Sequence, residues 1–394
     1  MFETSQITLS RKAYEHNLRF IRKLIGPETI VSSVVKGNAY GHDIGTFVPM
    51  AHSCGVDHFS VFDAYEARRV VAALNLDGTA DDQATVMIMG HIDDDQLAWA
   101  IKNRVEFYIF DRPRLEAACA MARKIGLPAS IHLDIETGMN RTGFRGDKDL
   151  QAAARTIQDN HAHFEVKGMG THLAGAEQVA VHPRNRLQIK RFDKAYDRIK
   201  DIIQPQYQHL LCSAGVINFR QHKRDLVRVG IMQYGFWPSP ETYVCYLEQG
   251  DAEKKKARSP LIHRLMSWSS RIMSLKHVPK GEYVGYGLSY KAPKDMTLGA
   301  VPIGYCHGYT RTLSNKGYVI VHNERADVIG TVNMNMIMVD LSHLPAVKRG
   351  DKVILIGESE DHEITAQSFA ERSEQFNYET LVRLPASIPR TVID

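Results

Sequence analysis

The sequence predicts an α/β protein in which an N-terminal (β/α)8 TIM-type barrel is followed by a mostly β C-terminal domain. Three observations lead to this prediction. Eight short apolar runs alternate with amphipathic stretches between Ile30 and Tyr234, and period-2 segments replace that pattern toward the C-terminus. The length of 394 residues also exceeds what one hydrophobic core usually serves, so two domains are expected.

The eight apolar runs are the predicted barrel strands. In chain order they are Ile30–Val35, His58–Phe62, Ala84–Gly90, Val105–Phe110, Ala129–Ile135, Phe164–His172, Tyr207–Ser213 and Leu226–Met232. The segments between them, such as DAYEARRVVAALN and RPRLEAACAMARKIG, carry apolar residues at helical spacing. An open doubly wound sheet is the alternative architecture, but no GxGxxG motif follows the first run.

The C-terminal part of the chain predicts the second domain. Its strand-like runs are Tyr318–His322, Met334–Leu341 and Lys352–Gly357, and a helix over AQSFAERSEQF is predicted to follow the N-cap Thr365. Pro238 and Pro240 indicate a boundary between the two patterns. The barrel is therefore predicted over residues 11–240 and the β domain over residues 241–394, joined by the alternating N-terminal strand of residues 1–10.

Composition argues against several functional classes. A net charge of +4 with no basic stripe does not favour nucleic-acid binding. The five cysteines are scattered without metal-ligand spacing, which favours reduced thiols in a cytoplasmic protein and predicts no metal site. The N-terminus lacks the pattern of a signal peptide, and no apolar run is long enough to span a membrane.

Lys36 is the first candidate functional residue. It ends the buried run of the stretch VSSVVKGNAYGHD, and the C-terminal ends of barrel strands carry the active sites of this fold. Desolvation there should lower the pKa of the ammonium group and favour Schiff-base chemistry. The alternative is a rim lysine whose stem packs on the barrel while its head reaches water.

Two further strand ends indicate a phosphate site. The stretch CSAG places Ser213 among small residues at the end of the seventh run, and VGIM places Gly230 at the end of the eighth. Loops after strands seven and eight are the usual phosphate site of barrels, although close packing explains each stretch taken alone. A strand-end lysine beside a phosphate site suggests pyridoxal 5'-phosphate as the cofactor.

The chain resembles the alanine racemase family of fold-type III pyridoxal-phosphate enzymes over nearly its whole length. The motifs that carry the resemblance are VVKGNAYGHD, ETGMNRTGF, THLAGAE, VRVGIMQYG, VGYGLSY, IGYCHGYTR, NMNMIMVDL and NYETLVRLPASIPR. The resemblance implies an amino-acid substrate and a head-to-tail homodimer. In such a dimer the β domain of one subunit completes the active site of its partner.

The resemblance also implies roles for individual residues. Lys36 corresponds to the cofactor-binding lysine and one catalytic base, and Tyr286 to the second base. The phosphate-binding positions are Tyr40, Ser213, Gly230, Ile231 and Tyr378. Arg228 corresponds to the arginine that faces the pyridine nitrogen, with His172 as a histidine of the same network. Arg141 and the Met334 backbone correspond to groups that receive the substrate carboxylate, and Tyr305 to a tyrosine at the inner gate.

Three positions depart from the family pattern. Asp134 stands where many members have a carbamylated lysine, so we expect its carboxylate to orient Arg141, or alternatively to be solvated or to cap a turn. Asn335 and His307 each replace a usual aspartate near the substrate end. We expect the loss of two negative charges there to change which side chains are admitted; the alternative is neutral drift with the pocket unchanged.

The expected function is therefore a pyridoxal-phosphate amino-acid racemase that interconverts L- and D-alanine for cell-wall synthesis. Racemisation needs a base on each face of a planar carbanion, and Lys36 with Tyr286 would supply both. The alternatives are a broad-specificity or other amino-acid racemase of the same family, a decarboxylase on the same architecture, and a non-catalytic cofactor carrier.

Overall fold

The computed structural model describes residues 4–76, 84–249 and 261–394. The strands are β1 (Gln6–Ser10), β2 (Ile30–Val34), β3 (His58–Val61), β4 (Thr85–Ile88), β5 (Glu106–Ile109), β6 (Ala129–Asp134), β7 (Phe164–Gly170), β8 (Tyr207–His209), β9 (Leu226–Val229), β10 (Met266–Arg271), β11 (Ser274–Val278), β12 (Tyr283–Val284), β13 (Tyr290–Lys291), β14 (Met296–Val301), β15 (Tyr318–Val321), β16 (Glu324–Ile329), β17 (Ile337–Asp340), β18 (Lys352–Glu358), β19 (Glu363–Ile364) and β20 (Arg390–Ile393). The helices are α1 (Arg11–Ile25), α2 (Lys36–Tyr40, a left-handed turn), α3 (Ile44–Ser53), α4 (Ala64–Leu74), α5 (Asp94–Lys102), α6 (Arg112–Ile125), α7 (Asp147–Asp159), α8 (His182–Ile199), α9 (Ser213–Asn218), α10 (Pro240–Glu248), α11 (Ala366–Arg372) and α12 (Asn377–Val382).

Contacts between Cα atoms divide the chain into two compact units. The barrel unit contains Lys12–Ala39 and Val48–Arg264. The β unit contains Tyr40–Phe47 and Leu265–Asp394, together with the N-terminal segment up to Arg11.

Eight parallel strands form the sheet of the barrel unit. Their order is β8-β7-β6-β5-β4-β3-β2-β9, and a parallel bridge between Cys212 and Arg228 joins the chain after β8 to β9. The sheet is thereby nearly closed. Each of the eight predicted runs contains one of these strands, so the predicted (β/α)8 barrel is confirmed.

Two helices of the barrel unit, α4 and α6, begin and end at residue types that favour helix termini. Asp63 caps α4 by accepting a hydrogen bond from the Glu66 amide, and Asn75 ends the helix in the left-handed conformation. Asp111 caps α6 in the same way, and Gly126 ends it. These are the segments that helical spacing predicted.

The β unit is built on one long, mostly antiparallel sheet. Its order is β11-β14-β17-β16-β15-β18-β10-β1-β20, with β19 paired to β18. The N-terminal strand β1 lies between β10 and β20, and its buried residues Ile7 and Leu9 face the core. Trp268, Tyr309 and Phe369 pack edge to face or tilted in that core. The predicted mostly β second domain is confirmed.

The late helix begins as predicted but ends earlier. The Thr365 hydroxyl accepts a hydrogen bond from the Ser368 amide at 2.8 Å, which caps α11. The predicted helix over AQSFAERSEQF is wrong at its C-terminal end, because α11 ends at Arg372 and Glu374 adopts a φ of +58°. The Gln375 amide then bonds back to the Ala370 carbonyl and closes the helix end.

Candidate active site

Lys36 lies at the C-terminal end of the first barrel strand. β2 ends at Val34, and the Val35 amide still bonds to the Ser60 carbonyl of the neighbouring strand at 2.8 Å. Lys36 is an exposed residue by its surface area. The protein atoms around its ammonium group nevertheless desolvate the charge, and this desolvation lowers the pKa of Lys36. The positive charge of Arg141 lowers the pKa further, and the Glu66 carboxylate opposes both effects.

The chain leaves Lys36 through a left-handed helical turn. Gly37, Asn38, Ala39 and Tyr40 have φ values of 64°, 54°, 55° and 52°. This conformation costs an L-residue roughly 1–2 kcal/mol, and only the first of the four is glycine. Strained backbone of this kind persists only where the surrounding structure holds it in place.

Glu66 holds this turn from the neighbouring strand–helix connection. Its Oε1 accepts hydrogen bonds from the amides of Gly37 at 2.6 Å and Asn38 at 3.2 Å, while its Oε2 accepts one from Phe62 at 3.0 Å. The carboxylate therefore accepts hydrogen bonds from three backbone amides in and beside this turn. Sequence reasoning missed this role, since the Asp63-x-x-Glu66 spacing indicates only a helix start.

The ends of the last two barrel strands bring three predicted phosphate-binding residues together. Ser213 begins α9, and its hydroxyl accepts a hydrogen bond from the Gly230 amide at 3.0 Å. Ile231 follows Gly230 and begins a short 3-10 helix that runs to Tyr234. The Ser213 hydroxyl and the backbone amide groups at the starts of α9 and of this 3-10 helix can bind an oxyanion there.

Arg228 is a buried cation near these strand ends. It is 5% exposed, and its Nη2 donates to the Thr171 carbonyl at 2.6 Å. Its Nη1 donates to the ring Nδ1 of His209 and to the His209 carbonyl at 3.2 Å. Among the hydrogen bonds of the described residues, the ring of His172 has none to Arg228, so the imidazole bonded to this guanidinium is that of His209.

His172 is held in the neutral form. Burial, followed by the positive charges of Arg228 and Arg141, lowers its pKa to about 3. Its carbonyl accepts a hydrogen bond from the Gln188 side chain at 3.0 Å, which fixes the backbone after β7. A neutral imidazole at this place can accept or donate one hydrogen bond without adding charge.

The neutral state of His172 predicts a pH dependence of stability. Unfolded His172 takes up a proton as the pH falls through about 6.5, whereas the folded side chain stays neutral to about pH 3. Its contribution to stability is thus complete above pH 6.5 and is lost as the pH falls toward 3. We expect His172→Gln to reduce the slope of the unfolding free energy between pH 6 and 4 by up to ~1.4 kcal/mol per pH unit.

Urea unfolding at a series of pH values measures that slope. The exposed His161 provides a matched control, because His161→Gln removes a histidine from the surface of the barrel unit. A slope equal to that of the unsubstituted protein in His172→Gln would contradict the prediction.

The loop after β6 presents Arg141. The Glu136 carboxylate folds back on this loop and accepts hydrogen bonds from the Gly138 amide and, at 3.2 Å, from the Arg141 amide. The Thr137 and Thr171 hydroxyls lie 2.8 Å apart and tie the loop to the end of β7. The Arg141 side chain itself is exposed, so it is available to an anionic group.

Asp134 is buried beneath the same loop. Its Oδ2 accepts a hydrogen bond from the Thr142 hydroxyl at 2.7 Å. Burial raises the pKa of this carboxyl group, and the bond from Thr142 opposes the rise. Within the described residues Asp134 forms no ion pair with Arg141, and its side chain bonds to the arginine loop at the adjacent Thr142.

Tyr286 lies on an exposed turn of the β unit. Gly285 and Gly287 on either side of it have φ values of +73° and +72°, which L side chains rarely adopt. The Thr331 hydroxyl donates to the Tyr286 carbonyl at 2.9 Å and holds the turn. The Tyr286 side chain is 74% exposed in the single chain.

Tyr305 and Met334 are brought together in the β unit. The Tyr305 amide bonds to the Asn333 carbonyl and the Cys306 amide to the Met334 carbonyl, each at 3.1 Å. Gly304 permits this approach, because a Cβ there would overlap the backbone of residues 333 and 334. The two predicted substrate-binding residues therefore share one surface, where both are exposed.

His307 and Asn335, the two departures from the family pattern on this surface, each contact a neighbouring residue of the same surface. The His307 ring accepts a hydrogen bond from the Gly304 amide at 3.2 Å, and burial lowers the pKa of His307. The Asn335 amide group contacts the Cys306 sulfur at 3.0 Å. Both side chains thus stabilise the turn that carries Tyr305.

Tyr40 and Tyr378 also lie together in the β unit. Their ring centroids are 5.9 Å apart, and the Phe376 ring stacks on Tyr378 at 4.8 Å. Gly41 contributes to this approach, because it has a φ of +78° and a Cβ there would overlap the Leu381 carbonyl. Two of the predicted phosphate-binding side chains are therefore neighbours.

Two kinds of feature were not found among the described residues. None of their His, Cys, Asp and Glu side chains form a group that could hold a metal ion. No helix in the described ranges is both long and apolar enough to cross a membrane.

Comparison with known proteins gives matches over almost the entire chain. The family model of the alanine racemase N-terminal domain matches residues 9–238, and that of the C-terminal domain matches residues 265–392. The alanine racemase of Leptospira interrogans is 30% identical over 396 residues, covering 99% of this chain and 96% of the relative.

Solved structures show the same fold. The alanine racemase of Bacillus anthracis with bound L-Ala-P has a TM-score of 0.86 and 26% identity, covering 100% of this chain and 96% of that one. The alanine racemase of Bartonella henselae with covalently bound pyridoxal phosphate has a TM-score of 0.81 over 100% of both chains, and at 23% identity it supports the fold alone.

Proposed function

Because the chain belongs to the alanine racemase family and is an isomerase, we propose that it interconverts L- and D-alanine with pyridoxal 5'-phosphate and two bases, Lys36 and Tyr286. The observation that carries the proposal is the lowered pKa of Lys36 at the end of the first barrel strand. A lowered pKa increases the fraction of neutral amine, which is the form that attacks a carbonyl or accepts a proton.

The chemistry of the donor set fits the cofactor. The hydroxyl and amide donors of Ser213, Gly230 and Ile231 would bind its phosphate, with Tyr40 and Tyr378 as further phosphate ligands. Arg228 would face the pyridine nitrogen, with His209 as the imidazole bonded to it and His172 near enough for its pKa to be lowered by the Arg228 charge. When bound, pyridoxal 5'-phosphate supplies an electron sink that acidifies the α-hydrogen of an amino acid.

Arg228 would restrict the chemistry to racemisation. An arginine stays protonated and can only donate, so Arg228 would keep the pyridine nitrogen of a bound cofactor unprotonated. An unprotonated pyridine withdraws electrons less strongly, which limits side reactions such as transamination. The carbonyl and imidazole acceptors around Arg228 hold its guanidinium in one orientation, in which it would face the pyridine nitrogen.

Lys36 and Tyr286 would act from opposite faces of the substrate. One removes the α-proton and the other delivers a proton to the other face, and the roles exchange for the reverse reaction. Arg141 and the Met334 backbone would receive the substrate carboxylate, while Tyr305 lines the entrance. Asp134 would steady the Arg141 loop through Thr142 without the need for a carbamylated lysine.

We further propose that two copies of the chain pair head to tail, with Tyr286 donated to the partner's site. The exposure of large apolar and aromatic side chains on the β unit supports this arrangement, since such surface is normally covered. The exposed fractions are 74% for Tyr286, 64% for Leu288, 55% for Met334 and 44% for Tyr305. The two domains would be a cofactor-binding barrel over residues 11–240 and a β domain over residues 241–394 and 1–10. The enzyme would act in the cytoplasm.

Product analysis tests the proposed reaction. The protein, purified with excess pyridoxal 5'-phosphate, is incubated with single enantiomers of a panel of amino acids, and the products are separated on a chiral column. We expect alanine to be racemised fastest. Faster conversion of lysine, arginine or serine would indicate a broader racemase, carbon dioxide release would indicate a decarboxylase, and no exchange of the α-hydrogen would indicate a carrier.

Glu66 should matter to this reaction, although it lies outside the predicted site. Without its carboxylate the left-handed turn after Lys36 loses the acceptor of two amide groups. We expect Glu66→Ala to lower kcat by about 10-fold to 100-fold through misplacement of Lys36, and the unfolding free energy by about 1–2 kcal/mol.

Steady-state kinetics and urea unfolding measure the two effects of Glu66→Ala. Glu66→Gln should be milder because its one side-chain oxygen can still accept from the Gly37 and Asn38 amides, so that only the bond from Phe62 is lost. Glu116→Ala is the control, since Glu116 forms an ion pair with Arg112 on an exposed helix face. Unchanged kcat in Glu66→Ala would show that the turn keeps its position without the carboxylate.

A further inference from the structure

A continuous chain of four polar side chains runs through the interior of the barrel unit. Glu106 Oε2 lies 2.7 Å from His132 Nε2, and His132 Nδ1 lies 2.9 Å from His209 Nε2. His209 Nδ1 in turn contacts Nη1 of Arg228. The two histidines are 0% exposed, Glu106 is 4% exposed and Arg228 is 5% exposed. We call these four residues the relay.

The chemistry of its two ends fixes every proton in the relay. An arginine can only donate, so His209 Nδ1 must accept and carry no proton. A carboxylate can only accept, so His132 Nε2 must carry a proton. The remaining bond between the two rings is then satisfied in one way, with His209 Nε2 donating to His132 Nδ1. Both imidazoles are consequently neutral Nε2–H tautomers.

The packing around the relay agrees with neutral rings. Burial, as the largest cause, lowers the pKa of His132 and the pKa of His209. Burial alone would raise the pKa of Glu106, but His132 and His58 outweigh it and hold that pKa far below its usual value. Tyr108 stacks on His132 and lies tilted against His209, with centroid distances of 6.1 and 5.9 Å.

Glycines on β7 make room for both rings. A Cβ at Gly168 would overlap the His132 ring, and a Cβ at Gly170 would overlap the His209 ring. The strand between the two histidine-bearing strands therefore lacks side chains where the rings lie. The relay is built into the sheet and does not depend on a mobile loop.

The relay also explains how the buried charge of Arg228 is balanced. In the described part of the chain, no carboxylate lies within ion-pair distance of Arg228, whose acceptors are His209 and two backbone carbonyl groups. The carboxylate that the hydrogen bonds connect to it is Glu106, two imidazoles away. Each bond in such a chain polarises the next, so the negative charge strengthens His209 Nδ1 as an acceptor.

We propose that Glu106 is a positioning residue that acts through His132 and His209 to orient Arg228 and to offset its charge. The proposal rests on the proposed function, in which Arg228 faces the cofactor. Loss of the negative charge would leave the guanidinium with a stronger positive field at the site. Loss of the acceptor would free His132 to change tautomer and would break the chain of bonds.

The first experiment examines the relay in the cofactor-free protein. Imidazole ¹⁵N NMR spectra, assigned with His132→Gln and His209→Gln, report which nitrogen of each ring carries the proton. We expect both rings to be neutral Nε2–H tautomers from pH 6 to 8. An Nδ1–H tautomer or a doubly protonated ring at either position would overturn the proposal. This result does not depend on any activity, so it stands or fails separately from the proposed function.

The second experiment separates charge from hydrogen bonding in the enzyme loaded with pyridoxal 5'-phosphate. Glu106→Gln keeps an oxygen acceptor for His132 but removes the charge, whereas Glu106→Leu removes both. We expect kcat to fall about 10-fold in Glu106→Gln and further in Glu106→Leu, with little change in KM. The acidic limb of the kcat/KM profile should move to lower pH in Glu106→Gln, because a stronger positive field favours deprotonation.

Controls distinguish a role at the site from a role in folding. Glu165→Gln changes a carboxylate on β7 that accepts a hydrogen bond from Ser130, and it should leave the kinetics and the pH profile unchanged. If Glu106→Gln does not fold, His132→Gln interrupts the same chain of hydrogen bonds and should lower kcat, although the charge of Glu106 remains. An unshifted profile with unchanged kcat in a folded variant would overturn the proposal.

Discussion

Replacement of Lys36 by alanine is expected to abolish racemisation, with a loss of about 10⁴-fold or more in kcat. On the proposed mechanism two contributions would be lost together: a general base, which supplies typically 10²–10⁴-fold, and the covalent attachment of the cofactor. Burial and the positive charge of Arg141 lower the pKa of Lys36, which favours the neutral amine that both proposed roles need. Free cofactor should then be removable by dialysis from the variant but not from the unsubstituted enzyme.

Two measurements check this expectation. Chiral analysis gives the rate, and the visible absorbance of the dialysed protein reports whether the cofactor is still bound through a lysine. Lys190→Ala is the control, since Lys190 is an exposed lysine of the same unit. If Lys36→Ala retains that absorbance, another lysine binds the cofactor and the assignment of Lys36 is wrong.

Replacement of Tyr286 by phenylalanine is expected to reduce racemisation by roughly 10²–10⁴-fold while leaving the cofactor attached. Only the hydroxyl is removed, so the exposed turn between Gly285 and Gly287 should be preserved. With a single base remaining, the enzyme should still exchange the α-hydrogen of one alanine enantiomer with solvent. Inversion to the other enantiomer should be nearly lost.

Deuterium incorporation distinguishes these steps. The reaction is run in D2O from each pure enantiomer, and exchange is compared with inversion. Tyr283→Phe is a matched control, because Tyr283 lies close by in sequence and is 49% exposed. Equal reduction of exchange for both enantiomers in Tyr286→Phe would contradict the two-base assignment.

The barrel and the position of Lys36 could be predicted because both depend on local patterns. Each barrel strand is a short apolar run, and the residue at the end of such a run lies at the rim whatever the rest of the chain does. Ser213 and Gly230 were predictable for the same reason. Their contact follows from the neighbouring positions of the seventh and eighth strands in a barrel.

Other features could not be predicted because they depend on distant residues. A left-handed turn that includes Ala39 and Tyr40 contradicts the intrinsic preference of both residues. It becomes understandable only when the Glu66 carboxylate is seen beside it. His209 likewise gives no local signal, because its partners Arg228 and His132 come from other strands. The early end of α11 depends on the conformation of Glu374, which helix propensity does not reveal.

The glycines beside the two buried histidines constrain the order in which this barrel could have evolved. A side chain at Gly168 or Gly170 would occupy the space of an imidazole, so each histidine is acceptable only after its neighbour on β7 has become glycine. An ancestor with alanine at either position would have had to lose that methyl group first, at some cost in strand stability. Substitutions at these paired positions should therefore be strongly non-additive: reversion of a glycine is harmful while the histidine is present and tolerated once it is gone.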